Sequence, residues 1–329
     1  MKKLVSLFVL LFAVSAYAAD KGNTWNDSFN KAKKTLEREV YKDHRIEFYC
    51  GCEFDESKQV MPCQNYTAKK AGERSKRIEW DHIVPAAHFG QSFKEWREGH
   101  TECVDNNGNP FKGRNCASKV NTVYRYMESD MYNLVPAIGE INGLRSDFGF
   151  GMVSGGSKDF GACEIKIDTQ ARTVEPPASV RGNIARIYKY MNSAYPGHGI
   201  LGKQSEKLFD AWDKQDPVDK WECDRCSRIE AIQGNENTVV KSACQKAGLW
   251  SASGSSSGST SGSTSGSGVK KQTTPSQSNG IVVYHGNKKT KVFHAAGCRD
   301  YDCSNCTVIF KSKEEAVKAG YREHSQCVK

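Results

Sequence analysis

Apolar residues first recur at helical spacing where Phe29, Ala32, Leu36 and Val40 follow one another at steps of three and four. Asn26, Asp27 and Ser28 stand just before them, residue types whose side chains cap free backbone N–H groups, so an amphipathic helix is predicted there. Ile184, Ile187, Tyr188 and Met191, and then Leu208 and Trp212, repeat that spacing and predict two further helices late in the chain. The middle has another texture. Gly, Pro and Asn punctuate short runs such as Ile83-Val84-Pro85 and Tyr132-Asn133-Leu134-Val135-Pro136, which read as short strands or loops. The second run leads past Pro136 into a helical turn expected from Ala137 to Leu144. The expected fold is mixed α+β, mostly helical at its two ends, with little regular sheet and no internal repeat.

Two stretches divide the chain. Lys2 and Lys3 precede an apolar run from Leu4 to Val14 and the small residues around Ala16-Tyr17-Ala18. That pattern predicts a signal peptide over residues 1–18, since the run is too short to cross about 30 Å of hydrocarbon. No later stretch is apolar enough for a membrane span, so none is expected after cleavage. Residues 251–280 are almost wholly Ser, Gly and Thr before a polar end, a composition with too few apolar groups to offset the entropy of ordering. A flexible linker is expected there, between a large domain over residues 19–250 and a small module over 281–329. A module of that size usually needs a metal or disulfides to hold it.

Cysteine usage and charge sharpen the picture. Of 13 cysteines, nine fall between Cys50 and Cys244, leaving one thiol unpaired if the others form disulfides in an oxidising compartment. The formal net charge is +9, two units of it from Lys2 and Lys3. Such a surplus favours a polyanionic partner or surface and by itself fixes no chemistry.

Two segments carry candidate chemistry: Arg77 to Ala86 and Tyr132 to Gly143. If Asp81 and His82 end a short strand, their side chains diverge to opposite faces, so one can bind a cation while the other meets a water. Asn142, on the helical turn, can present its amide oxygen to the same ion. Strand, connection, strand and helix would form a ββα metal finger. Phosphodiester hydrolysis needs a positioned nucleophile and positive charge for the phosphoryl and departing oxygens, which a hard cation with oxygen ligands supplies. His82, with an ordinary pKa near 6.5, is suited to take the water's proton. Magnesium keeps several waters, so Asp81 and Asn142 could suffice as protein ligands. Glu79 and Glu140 are the nearest competing carboxylates; Glu79 reads as structural, on the strand face of Asp81 and away from the register of His82. Lys69-Lys70, Arg74 to Arg77 and Lys112 to Arg114 flank the site, so phosphates could be held without reading bases.

These segments, with Glu47 to Cys52, Asn133 to Arg145, Glu175-Pro176-Pro177, Trp221-Glu222-Cys223 and Ile232 to Asn235, resemble the endonuclease I family of periplasmic and secreted bacterial nucleases over roughly Phe29 to Cys244. The resemblance implies a ββα-metal (His-Me) finger in which His82 is the general base and Asp81 and Asn142 hold the catalytic Mg2+, with Mn2+ or Ca2+ as alternatives. It implies that Arg114 contacts the scissile phosphate, that Glu128 lies near the metal through water, and that Asn133 pins the finger's loop. It further implies a secreted or periplasmic, monomeric enzyme cutting DNA without base specificity to 5′-phosphate ends, with RNA left open as a substrate. Three departures stand out: the family usually has Glu where this chain has Asp81, the spacing around Arg114 differs slightly, and Cys226 looks additional to its even cysteine set.

The C-terminal segment, Phe293 to Cys327, is similar to the zinc-binding domain of bacterial DNA methylphosphotriester repair proteins. The corresponding positions are His294, Cys298, His324 and Cys327, a set compatible with tetrahedral Zn2+. Disulfides are the alternative, Cys303 with Cys306 and Cys298 with Cys327. With imidazoles in place of two thiolates, the resemblance carries the fold and not the repair chemistry, and a targeting or tethering role is expected.

Overall fold

Ser28 caps the first helix, accepting a hydrogen bond from the N–H of Lys31, and α1 runs from Phe29 to Thr35. A single π-helical stretch, Leu36–Val40, continues it. Ala32, Leu36 and Val40 are fully buried, so the predicted apolar stripe is the face turned to the core. The computed structural model describes residues 22–155, 159–250, 284–295, 305–310 and 312–324. The predicted signal peptide and linker, and Cys298, Cys303 and Cys327, lie outside the described residues. The chain divides into two units at residues 256 and 257, each with its own core.

At the centre of the larger unit, β1 (Ile78–His82) pairs antiparallel with β2 (Leu134–Ile138), Ile78 facing Ile138 and His82 facing Leu134. The chain between them forms α2 (Ala86–Gly90), α3 (Lys94–Arg97), α4 (Arg114–Val120) and α5 (Thr122–Glu128). A 3-10 turn, Met131–Asn133, then delivers the chain into β2. Helix α6 (Gly139–Arg145) follows directly. It starts later than the expected Ala137, because Pro136, Ala137 and Ile138 still face Trp80, Glu79 and Ile78 across the ladder. Pro136 is tolerated because a two-stranded sheet has only edge strands, and its carbonyl accepts the N–H of Phe48.

A small sheet of β3 (Gly149–Phe150), β4 (Lys166–Asp168) and β5 (Thr173–Glu175) comes next, in the order β3-β5-β4. Four helices close the unit: α7 (Arg181–Ala194), α8 (Lys203–Gln215), α9 (Lys220–Gln233) and α10 (Thr238–Lys246). As predicted, α7 buries Ile184, Ile187, Tyr188 and Met191, and α8 buries Trp212. Gly234 ends α9 in the left-handed region at φ +79°, which glycine adopts without a Cβ penalty.

In the larger unit four disulfides join Cys50 to Cys163, Cys52 to Cys63, Cys103 to Cys116 and Cys223 to Cys244. Cys226 is a buried free thiol, the odd residue of the nine. Asp130, wholly buried, accepts from the hydroxyls of Tyr190 and Tyr195, both at 2.8 Å, and from Gln233 at 3.0 Å. That hub ties α7 and α9 to the turn entering β2. Among the described residues no helix is long and apolar enough to cross a membrane.

The smaller unit has strands β6 (Tyr284–Asn287), β7 (Val292–Ala295), β8 (Cys306–Phe310) and β9 (Arg322–Glu323), with α11 (Lys313–Lys318) between the last two. The sheet order is β8-β6-β7-β9, and Phe293, Phe310, Ala316 and Tyr321 form its core.

Candidate functional site

Alternation along β1 sorts its polar side chains. Glu79 and Asp81, two apart, share one face and meet α6, where Asn142 and Arg145, three apart, share one face. A strand advances about 6.6 Å over two residues and a helix about 4.5 Å over three, so the longer arginine reaches across the difference. Two rungs result. Asn142 Nδ2 donates to Glu79 Oε2 at 2.9 Å, and Arg145 Nη1 donates to Asp81 Oδ1 at 2.6 Å. His82 turns the other way: its ring packs 4.9 Å from that of Phe29, and its Nε2 lies 2.8 Å from the carbonyl oxygen of Glu128. Where the strand ends, Asp81, His82, Arg114, Asn142 and Arg145 border one cleft of about 490 Å³.

Hydrogen bonding determines the state of each group. A carbonyl only accepts, so His82 Nε2 carries the proton and Nδ1 keeps its lone pair. Burial, reinforced by the positive charge of Arg114, pushes His82 down to about 3, which leaves the imidazole neutral across the physiological range. Asp81 is 3 % exposed. Burial raises its pKa, while Arg145 and the Tyr49 hydroxyl, which donates to Oδ2 at 2.7 Å, act in the opposite direction. Arg145 also donates to the carbonyls of His82 and, at 2.6 Å, Ile83, so one guanidinium fixes both the carboxylate and the end of its strand. Tyr49 is delivered by a loop folded around Glu47, whose carboxylate accepts from the N–H groups of Tyr49 and Cys50.

Arg114 opens α4, two residues from the disulfide-bonded Cys116. Its Nε donates to Glu128 Oε1 at 2.6 Å, and Ser118 Oγ donates to Oε2 at the same distance. The Arg114 side chain is 45 % exposed and that of Glu128 only 6 %, so the carboxylate anchors and the guanidinium faces solvent. Glu128 borders the neighbouring depression with Ser118 and Arg125 rather than the cleft of Asp81. Lys33 stands over the Phe29 ring at 4.4 Å, its pKa lowered by burial and by Lys58 and Arg114. Asn133 accepts from the N–H of Val84 at 2.7 Å and donates to its carbonyl at 3.0 Å, pinning the loop after β1.

The cleft thus brings together four of the five residues expected of it, with Glu128 alongside through Arg114. The sequence placed Glu79 on the face of Asp81 as a structural residue without revealing its partners, and it did not reveal the parts of Phe29, Tyr49 and Arg145. Arg145 had a usable signal, three residues beyond Asn142 and so on its helix face; the partners of Tyr49 and Phe29 had none.

A divalent cation has a suitable donor set here. Asp81 and Asn142 both border the cleft and both offer oxygen; each Asp81 oxygen accepts one hydrogen bond and retains a second lone pair. Among the described residues the amide oxygen of Asn142 accepts no hydrogen bond, and no three His, Cys, Asp or Glu side chains converge. Two oxygen ligands and several waters suit magnesium. In the smaller unit the rings of His294 and His324 lie 4.7 Å apart, and Cys306 is disulfide-bonded.

Comparison with known proteins gives the site its setting. The family profile described as Endonuclease I matches residues 26–244. An extracellular deoxyribonuclease of Aeromonas hydrophila is 39 % identical over 251 residues, 74 % of this chain and 99 % of the relative. A periplasmic deoxyribonuclease of the same organism is 38 % identical over 249 residues, 74 % of this chain and 95 % of its own length. Endonuclease-1 of Buchnera aphidicola subsp. Acyrthosiphon pisum (strain APS) is 39 % identical over 226 residues, 67 % of this chain and 83 % of that protein. The chain belongs to the endonuclease I family and is an exported nuclease, secreted or periplasmic.

Proposed function

We propose that the larger unit is a DNA endonuclease built on a ββα-metal finger of β1, β2 and α6, hydrolysing phosphodiester bonds without regard to base sequence. The observation that carries this reading is His82: a neutral imidazole, its tautomer fixed by the Glu128 carbonyl, at the edge of a cleft that also holds an oxygen-donor pair and an arginine.

Asp81 and Asn142 would hold Mg2+, or Mn2+ or Ca2+ in its place. Bound there, the cation would supply positive charge to the phosphoryl and departing oxygens. His82 Nδ1 takes a proton from water as the water oxygen bonds to phosphorus. The bond from phosphorus to the 3′ oxygen breaks, and that oxygen leaves as a hydroxyl after taking a proton from a second water, giving a 5′-phosphate. Arg114 offers its exposed guanidinium to the phosphoryl oxygens. Glu128 works through its neighbours, with its carboxylate holding Arg114 and its carbonyl holding His82. The lysines and arginines flanking the cleft, which can hold phosphates without reading bases, support nonspecific cleavage, and the same chemistry would serve RNA. The protein is taken to act as a monomer. Residues 281–329 are proposed as a separate tethering module, with Zn2+ held by His294, Cys298, His324 and Cys327; the neighbouring rings of His294 and His324 support that set.

Nicking of supercoiled plasmid tests the reading. Wild type should nick with magnesium and not with EDTA, and His82→Ala should lose activity by roughly 10²- to 10⁴-fold. Undiminished cleavage by the variant would sink the mechanism, and failure of folded wild type to cleave would sink the function.

A further inference from the structure

Glu79 sits beside the proposed cation ligands, and its geometry gives it a task the sequence did not reveal. Its Oε2 accepts from Asn142 Nδ2 at 2.9 Å. Arg74 Nε donates to Glu79 Oε1 at 2.9 Å and its Nη2 to Oε2 at 2.5 Å, and Arg77 Nη2 donates to Oε1 at 3.3 Å, so two arginines clamp the carboxylate beside α6. The helix is cut away to admit this arrangement. A Cβ at Gly143 would lie 2.3 Å from the Arg74 guanidinium, and one at Gly139 would lie 2.8 Å from the Arg74 carbonyl and 2.9 Å from Glu79 Oε1.

An asparagine amide has two ends of opposite character and nearly equal size, so unrestrained rotation about its last bond would offer a cation either oxygen or N–H. A carboxylate can only accept. With its nitrogen committed to Glu79, the amide has its oxygen fixed on the other side. We infer that Glu79 is a positioning residue that orients the Asn142 amide so that its oxygen, and not its nitrogen, meets the cation. Arg74 keeps Glu79 in place, and Gly139 and Gly143 make room for the pair. This rests on the reading of Asn142 as a ligand given above.

The test is Mn2+ binding to the metal-free mature protein, followed by the electron paramagnetic resonance signal of the free ion, for wild type, Glu79→Ala, Glu79→Gln, Asn142→Ala and the Glu79→Ala/Asn142→Ala double variant. Circular dichroism establishes that each is folded. Glu79→Ala should weaken binding by about 10- to 100-fold, the range for groups that orient a ligand. Glu79→Gln, which keeps an acceptor oxygen without the charge, should retain most of the affinity. The double variant should bind no more weakly than Asn142→Ala alone, because an amide that is absent cannot be misoriented. If Glu79→Gln loses as much as Glu79→Ala, Glu79 is itself a ligand and the inference fails. It also fails if Asn142→Ala loses affinity while Glu79→Ala binds like wild type. Should Asn142→Ala bind like wild type, the ligand assignment falls, and the inference with it.

Discussion

At the scale of single residues, the carboxylates of the site are each held by an arginine. Arg145 and Asp81 are the extreme pair, with side chains 1 % and 4 % exposed. Removing one partner leaves the other charged and uncompensated, at a typical cost of about 3–5 kcal/mol. Arg145→Met should therefore lower the unfolding free energy in urea by about that much, and adding Asp81→Asn should recover part of it; a variant as stable as wild type would show that the pair does not hold the strand end. Glu47 makes a separate prediction. Burial outweighs its hydrogen bonds from backbone N–H groups and raises its pKa to about 7. In the unfolded chain it ionises near the ordinary 4.5, so between those values the folded state holds a proton that the unfolded state has released, and stability falls as pH rises. Wild type should lose stability relative to Glu47→Gln at a limiting slope of about 1.4 kcal/mol per pH unit across that window, and parallel curves would refute the assignment. What the sequence disclosed at this scale follows from range. His82, Asp81, Asn142 and Arg114 stand in recognisable local motifs, whereas Glu79 meets Asn142 across 63 positions and Tyr49 meets Asp81 across 32. Those meetings depend on how a strand and a helix approach, which no local pattern states.

Among elements, local periodicity was informative for α1, which turns one stripe to the core, and for α7, whose predicted positions are buried along with other faces of the helix; it was less so around β2, where ladder pairing carried Ala137 and Ile138 past the expected helix start. The disulfides act at this scale too. Cys103–Cys116 closes a span of 13 positions that ends inside α4, the helix presenting Arg114 to the cleft. Cys223–Cys244 links α9 to α10, and neither cysteine borders the cleft. Each link constrains the unfolded chain by about 3 kcal/mol, so their loss should destabilise similarly, yet only the first should disturb Arg114. Replacing Cys103 and Cys116 by alanine should reduce the plasmid-nicking rate of folded protein well below that of the Cys223/Cys244 double alanine variant. Equal rates at a temperature where both are fully folded would mean that α4 holds Arg114 without its disulfide.

For the whole molecule, the two cores share no residue, and the family match ends at residue 244, before the Ser/Gly/Thr-rich run begins. Catalysis and any tethering should therefore be separable. A protein comprising residues 19–250 contains every residue assigned to the cleft and all four disulfides of the larger unit. It should nick plasmid with the magnesium dependence of the full chain. Salt tells whether the smaller unit also grips the substrate. Each phosphate neutralised by Lys or Arg contributes about −0.9 to the slope of log affinity against log salt on duplex DNA, and Lys33, Lys58, Arg77 and Arg114 all border the cleft or its neighbours. If those contacts account for DNA binding, the full chain and residues 19–250 should give the same slope when affinity is measured without divalent cation. A steeper slope for the full chain would assign phosphate contacts to residues 281–329 and make that module a second nucleic-acid grip. Equal slopes would leave it to bind something other than the polyanion being cut.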